Sequence, residues 1–219
     1  MIKDINNQKE YWNKVAGFKT FTHPLDAELL EKYFFKSDKL LDYGCGYGRI
    51  TAELYRYGFT NITGVDTSVE LIKRGKINNV DLNLRVIENS NTLPFENGSF
   101  DAVILFAVLT CIPLNEGQKK LVASLYSKLA TGGRIYISDY YLQENREEVN
   151  AYENYNNDAK NYGVFSLEEG ATFRHHTKAW IKELFKDFEF IKEKEIEVKT
   201  MNGHVAKAFQ LIIKKIVHP

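Results

Sequence analysis

The sequence predicts an α/β protein: a seven-stranded, mostly parallel sheet with helices on both faces and one antiparallel strand near its end. Strand-like and helix-like segments alternate from residue 39 onward. "FDAVILFAV" is almost wholly apolar, as suits a central parallel strand covered on both sides. Near the end, "EFIKEKEIEVK" and "VAKAFQLIIKK" flank "MNGH", where Asn202-Gly203 suits a tight hairpin or a somewhat longer turn.

Each element has a local reason. "KLLDY" is a short apolar strand, and "GRITAELYRYG" behind it repeats Ile50, Leu54 and Tyr57 at helical spacing before Gly58. "NITGVD" is the second strand. A helix follows that opens on a capping box, Thr67 with Glu70, and stops at Gly75. "DLNLRVIE" alternates through Leu82, Leu84 and Val86 like a half-buried strand. Asn115 caps a helix with Leu121, Leu125 and Leu129 inward, ending at Gly132-Gly133, and "RIYISDY" is the next strand. "KAWIKELFKDF" supplies the last helix before the hairpin. Residues 1–37 and 140–176 stand outside this pattern. Both are expected to form a lid on the domain at 38–219, with 140–176 as an inserted cap.

Composition limits the partners. The 219 residues carry 29 Lys+Arg and 29 Asp+Glu, so no basic surface favours nucleic acid or an anionic membrane. No apolar run approaches a membrane span, and "MIKDINNQKEYW" is too polar for a signal peptide. Two cysteines, Cys45 and Cys111, fit a reducing cytoplasm. The histidines and cysteines lack metal-ligand spacing.

The first strand-to-helix turn, "DYGCGYGR", concentrates the functional signal. In an open α/β sheet, ligands bind at the carboxyl ends of the strands, and Gly44, Gly46 and Gly48 let the backbone approach one closely. Position 49 is Arg where a dinucleotide fingerprint would carry its third glycine. Asp42 before the turn would receive an ammonium well and repel a pyrophosphate, while Asp66, ending the next strand, suits ribose hydroxyls. A ligand with a ribose, an amino-acid end and no phosphate fits this set: S-adenosylmethionine.

"LLDYGCGYGRIT", "GVDTSVELI", "LPFENGSFDAVILFAVLTCI" and "LATGGRIYISD" resemble, in order and spacing, the class I S-adenosylmethionine-dependent methyltransferases of the type 11 and type 25 kinds, over residues 37–139. The resemblance implies a Rossmann-like fold with Gly44, Cys45 and Gly46 against the methionine part of the cofactor and Asp42 near its ammonium. It also implies Asp66 on the ribose, Thr67 beside the adenine, and the Phe106 carbonyl toward the methionine amine. The family often has Asp-Ala before "LPF". Here Asn89, Ser90 and Asn91 stand in that region, and any of them can meet the adenine amine. Arg49 opens the helix beside the turn and is expected near the cofactor.

Methyl transfer is an in-line displacement, so positioning dominates, and a base is needed only for an acceptor protonated at neutral pH. The acceptor is expected to be a small molecule held under the aromatic-rich lid. His23, His175, His176 and Tyr140 are the catalytic candidates. A non-catalytic S-adenosylmethionine-binding module, or a methyltransferase acting on protein or nucleic acid, remains the alternative.

Overall fold

The computed structural model describes residues 6, 8–88, 93–155 and 161–216. Its chain order is α1 (Lys9–Val15), α2 (Ala27–Tyr33), β1 (Leu40–Tyr43), α3 (Arg49–Arg56), β2 (Ile62–Asp66), α4 (Val69–Asn78), β3 (Leu84–Val86) and β4 (Phe100–Phe106). A 3₁₀ turn at Leu109–Cys111 leads to α5 (Asn115–Lys128), β5 (Leu129–Tyr140), α6 (Arg146–Tyr155), β6 (Val164–Ser166), β7 (Thr172–Arg174), α7 (Lys178–Leu184), β8 (Phe188–Lys199) and β9 (Val205–Lys215).

Seven strands form one sheet in the order β3-β2-β1-β4-β5-β9-β8. The β1 to β5 pairings are parallel, and β9 runs antiparallel to both of its neighbours. Side-chain alternation divides the core between the two faces. Leu41, Val103, Leu105, Ile135 and Ile137 pack with Leu121 and Leu125 of α5 and Ile181 and Leu184 of α7. Leu40, Ala102, Ile104 and Ile212 pack with Leu30 of α2 and Ile50 and Leu54 of α3. The expected doubly covered sheet is present, with β4 at its centre and β1 beside it buried along its whole length.

Several boundaries differ from the sequence expectation. Ser68, not Thr67, caps α4, its hydroxyl accepting the Leu71 amide proton. Asn115 is the first helical residue of α5 rather than its cap. That helix stops at Lys128, and Gly132-Gly133 lie inside β5. There the register against β4 jumps from Phe100↔Leu129 to Ala102↔Arg134, a bulge that glycine with φ of 71° at position 132 accommodates. The third strand is confined to Leu84–Val86. The hairpin turn is the longer form: the Thr200 amide bonds to His204 O and the Gly203 amide to Thr200 O.

The two outlying segments build a roof over one end of the sheet. β6 and β7 form a separate two-stranded hairpin, which the sequence pattern did not reveal. Tyr11 and Val15 of α1 pack against Ala171 and Phe173 of that hairpin. Gln8 fastens the pair: its amide donates to Cys111 O and Thr172 O and accepts from the Thr172 amide at 2.8 Å. Asn13 reaches the start of α4, accepting from Ser68 Oγ at 2.7 Å and from the Glu70 amide at 3.2 Å. The sheet ends on the other side in β8, whose middle residues Lys192 to Glu195 are exposed.

Ile104, on the central strand β4, is fully buried. Ile104→Ala should lower stability by about 2–5 kcal/mol, the usual cost of a cavity at such a position. Urea denaturation checks this, with an unchanged m-value expected.

Candidate active site

Gly44, Gly46 and Gly48 all take positive φ, at 70°, 57° and 76°, so the chain turns sharply from β1 into α3. The Gly44 and Cys45 amides both donate to Val65 O, holding the turn against β2. The Asp66 carboxylate then receives one amide proton on each oxygen, from Gly46 at 2.9 Å and from Ser68 at 2.8 Å. A Cβ on Gly44 would meet Val108 Cγ2 at 2.5 Å, and one on Gly46 would meet the Phe21 ring at 2.0 Å. Neither position has room for a side chain.

A cavity of about 500 Å³ opens at this turn. Among the expected cofactor residues, Asp42, Gly44, Cys45, Arg49, Asp66, Thr67 and Phe106 line it. Gly46 does not, because Phe21 of the N-terminal segment lies over it, stacked on Tyr47 with centroids 4.9 Å apart. Asn89, Ser90 and Asn91 lie outside the described residues.

Asp42 is buried and accepts the Thr51 hydroxyl proton. Burial pushes its carboxyl up to about 6, with Asp66 adding to the rise, while the Thr51 hydrogen bond and the Arg49 charge oppose it. Burial also raises Asp66, against the hydrogen bonds from Ser68 and Gly46. Arg49 donates to His23 O and meets Glu53 at 3.4 Å, but its Nε is buried with no partner among the described residues. The turn end of the cavity therefore offers a buried carboxylate, a half-buried one and one guanidinium edge.

The catalytic candidates part company. His23, His175 and Tyr140 line the cavity, with the His23 and His175 rings 4.4 Å and 5.3 Å from the Tyr140 ring. His176 is not at the wall; it is fully buried and bridges Tyr140 O and Gln118 Nε2. Burial drives all three histidines down to about 3, so they are neutral at pH 7. Burial likewise raises Asp139, beneath Tyr140, to about 7.

Further wall residues carried no sequence signal. Ala107 takes φ of 52°, a costly conformation for a residue with a Cβ, at the carboxyl end of β4. Thr22 and Thr110 also line the cavity. Lys19 is buried at its mouth, where Nζ reaches Glu169 at 3.0 Å and Asn202 Oδ1 at 2.8 Å, linking the N-terminal segment to both hairpin turns. Nothing in a lone lysine's sequence context marks such a latch.

A sheet of this order, with a glycine turn after β1 and a carboxylate ending β2, defines a class I methyltransferase fold. Residues 41–137 match the family model described as "Methyltransferase domain". Over that segment the chain is similar to this methyltransferase family, and its fold is that of the class I S-adenosylmethionine-dependent methyltransferases. A curated relative, "Ribosomal protein L11 methyltransferase" of Shewanella sediminis, is 32% identical over 137 residues, covering 61% of this chain and 45% of that protein. The chain thus spans about half the length of the curated relatives of that name. Among solved structures, an S-adenosylmethionine-dependent methyltransferase from Methanosarcina mazei superposes with a TM-score of 0.80 at 23% identity, covering 87% of this chain and 98% of that one. A Burkholderia thailandensis 1,6-didemethyltoxoflavin-N1-methyltransferase, solved with that compound and S-adenosylhomocysteine, gives 0.62 at 14% identity, covering 96% and 80%. No helix among the described residues is long and apolar enough to cross a membrane.

Two outcomes follow from this geometry. Asp42 binds its proton more tightly when folded, so it favours the folded state below pH 4, and that contribution is lost as pH rises through 6. Asp42→Asn keeps an oxygen for Thr51 and should raise the stability of the ligand-free protein at pH 7 by on the order of 2 kcal/mol, with little effect at pH 4. Denaturant titrations at the two pH values check this. Lys19→Met should speed amide hydrogen exchange in α1 and in the turns around Glu169 and Asn202 at least threefold and leave β4 unchanged, because the latch joins the N-terminal segment to those two turns and not to the centre of the sheet.

Proposed function

We propose that this chain transfers the methyl group of S-adenosylmethionine to a small-molecule acceptor. The observation that carries the reading is the cavity, which runs from the glycine turn to a chamber walled by Tyr140, Phe165, Phe173 and His175. Its volume falls within the range of about 300–1,000 Å³ usual for small-molecule sites.

The residues present fit the cofactor. The Asp66 oxygens each hold one amide proton and keep lone pairs for ribose hydroxyls. The ionised Asp42 carboxylate faces the place for an ammonium, and the partnerless Arg49 Nε suits a carboxylate. Thr67, Leu71 and Ile87 give the adenine a mostly apolar wall, and Gly44 leaves the methionine portion free of a side chain. S-adenosylmethionine, when bound, supplies an electrophilic methyl on a sulfonium. The chain's own work is to hold the acceptor in line with it and to exclude water, which the roof of α1 and the β6–β7 hairpin does.

The name of the curated relatives, ribosomal protein L11 methyltransferases, favours a second reading, a protein acceptor. Against it stands the roof, whose Gln8 and Lys19 contacts hold the N-terminal segment and the β6–β7 hairpin together over the chamber, so that a protein acceptor would have to enter by a single side chain.

Calorimetric titration with S-adenosylmethionine and S-adenosylhomocysteine tests the cofactor site. Asp66→Ala should weaken both by about 100-fold, the loss of two charge-assisted hydrogen bonds. Incubating the protein with methyl-labelled cofactor and a cell extract, then separating small from large molecules, tests the acceptor. Label in the small fraction supports the proposal. Label on protein supports the second reading, and no transfer by cofactor-bound protein points to a binding module.

A further inference from the structure

Two buried imidazoles flank Tyr140, and the protons they carry can be assigned from their partners. Tyr152 Oη accepts the Gln143 amide proton at 3.2 Å and lies 2.6 Å from His175 Nδ1. Tyr152 is 2% exposed, and its hydroxyl proton has no other acceptor among the described residues. That proton therefore points at His175 Nδ1, which must accept, and the neutral ring carries its own proton on Nε2. His175 Nε2 has no hydrogen-bond partner among the described residues, and the residue lines the cavity.

His23 repeats the arrangement from the opposite side. Its Nδ1 lies 2.9 Å from Ser138 Oγ. Ser138 is fully buried, and its hydroxyl has no other partner among the described residues. The serine hydroxyl again donates to Nδ1, which accepts, leaving the ring proton on Nε2. That atom is buried and partnerless in a side chain that lines the same cavity. A buried N–H without an acceptor costs about 1–3 kcal/mol, and this chain maintains one such group at His23 beside Tyr140, while the His175 ring lines the same cavity. The Tyr140 hydroxyl, adjacent to the Thr22 side chain, completes the wall.

Resting on the methyltransferase reading, we infer that His23 and His175 are hydrogen-bond donors to the acceptor substrate, not bases. With Tyr140 they hold a carbonyl or phenolate-type oxygen of a planar, oxygen-bearing acceptor. Three features of the wall agree. Both rings are neutral at pH 7, because burial holds their pKa values near 3, so neither takes a proton readily. Phe165 and Phe173 give the chamber flat apolar faces suited to a planar ring. Of the carboxylates that line the cavity from α6 and the hairpin, Glu147 and Glu168 are exposed, and the half-buried Glu148 acts on Tyr152 rather than on either histidine ring. Ser138 and Tyr152 are positioning residues, since each sets a tautomer without reaching the substrate.

The first arm of the test is long-range proton–nitrogen NMR of the histidine rings, which reads each tautomer directly in ligand-free protein. Both rings should be neutral with Nε2 protonated, and protonation on Nδ1 in either would overturn the assignment. The second arm titrates para-nitrophenol and benzylamine into protein saturated with S-adenosylhomocysteine. Para-nitrophenol should bind at least tenfold tighter than benzylamine, and the reverse preference would overturn the substrate class. Glutamine keeps a donor near the Nε2 position but cannot serve as a base. His175→Gln should therefore stay within about threefold of the parent protein for para-nitrophenol, whereas His175→Leu should lose about tenfold. A base assignment predicts that methyl transfer fails in both variants alike. Tyr152→Phe should mix the His175 tautomers and weaken para-nitrophenol severalfold, with S-adenosylhomocysteine affinity unchanged. Failure of the methyltransferase reading would appear separately, as no binding of S-adenosylhomocysteine by the parent protein.

Discussion

The site depends on the paired hydrogen bonds between the Asp66 carboxylate and the Gly46 and Ser68 amides. They tie the loop after β1 to the loop after β2, across two neighbouring parallel strands. Without them, a turn of three positive-φ glycines would have many conformations to choose from, because glycine restricts its backbone so little. With them, the turn is fixed at the carboxyl edge of the sheet, and the Gly44, Asp42 and Arg49 positions follow from it. The same carboxylate keeps lone pairs turned to the cavity, so one residue both shapes the pocket and offers it a binding group.

Burial of charge sets the tone of the interior. Asp42, Asp66 and Asp139 all sit at the carboxyl ends of strands, and desolvation raises each of them. The fold tolerates this because each carboxylate accepts at least one hydrogen bond from Thr51, Gly46, Ser68, Thr110 or Tyr140. Stability is given up at the edge that the cavity occupies, while the rest of the sheet is packed with aliphatic side chains.

The sheet and the turn were legible in the sequence because their signals are local. Short apolar runs marked β1 and β4, alternation marked the β3 segment, and the spacing of Asp42, Gly44 and Asp66 marked the pocket. The roof was only half legible. Its aromatic residues announced a cap, but the contacts that assemble it span 103 and 164 residues in the Gln8 bonds, and no short window records such a pairing. The β6 and β7 strands have three residues each, too few to show a period. The Gly132-Gly133 pair read as a helix stop because glycine ends helices often. Here the helix had already ended at Lys128, and the glycines serve a bulge instead. His176 and His175 look alike in sequence, and only the strand-like path of "TFRHH" turns one to the cavity and the other to the core.

The outermost strand has a consequence beyond the pocket. β8 is twelve residues long and borders solvent on its open side, with free backbone groups along it. Such an edge invites a neighbouring chain to add another strand. The run Lys192, Glu193, Lys194, Glu195 discourages it, because a stranger docking there must strip water from a row of charges. At the opposite margin, β3 offers only three residues. The sheet is thus closed to growth at one end by chemistry and at the other by brevity, and its length is a fixed property of the single chain.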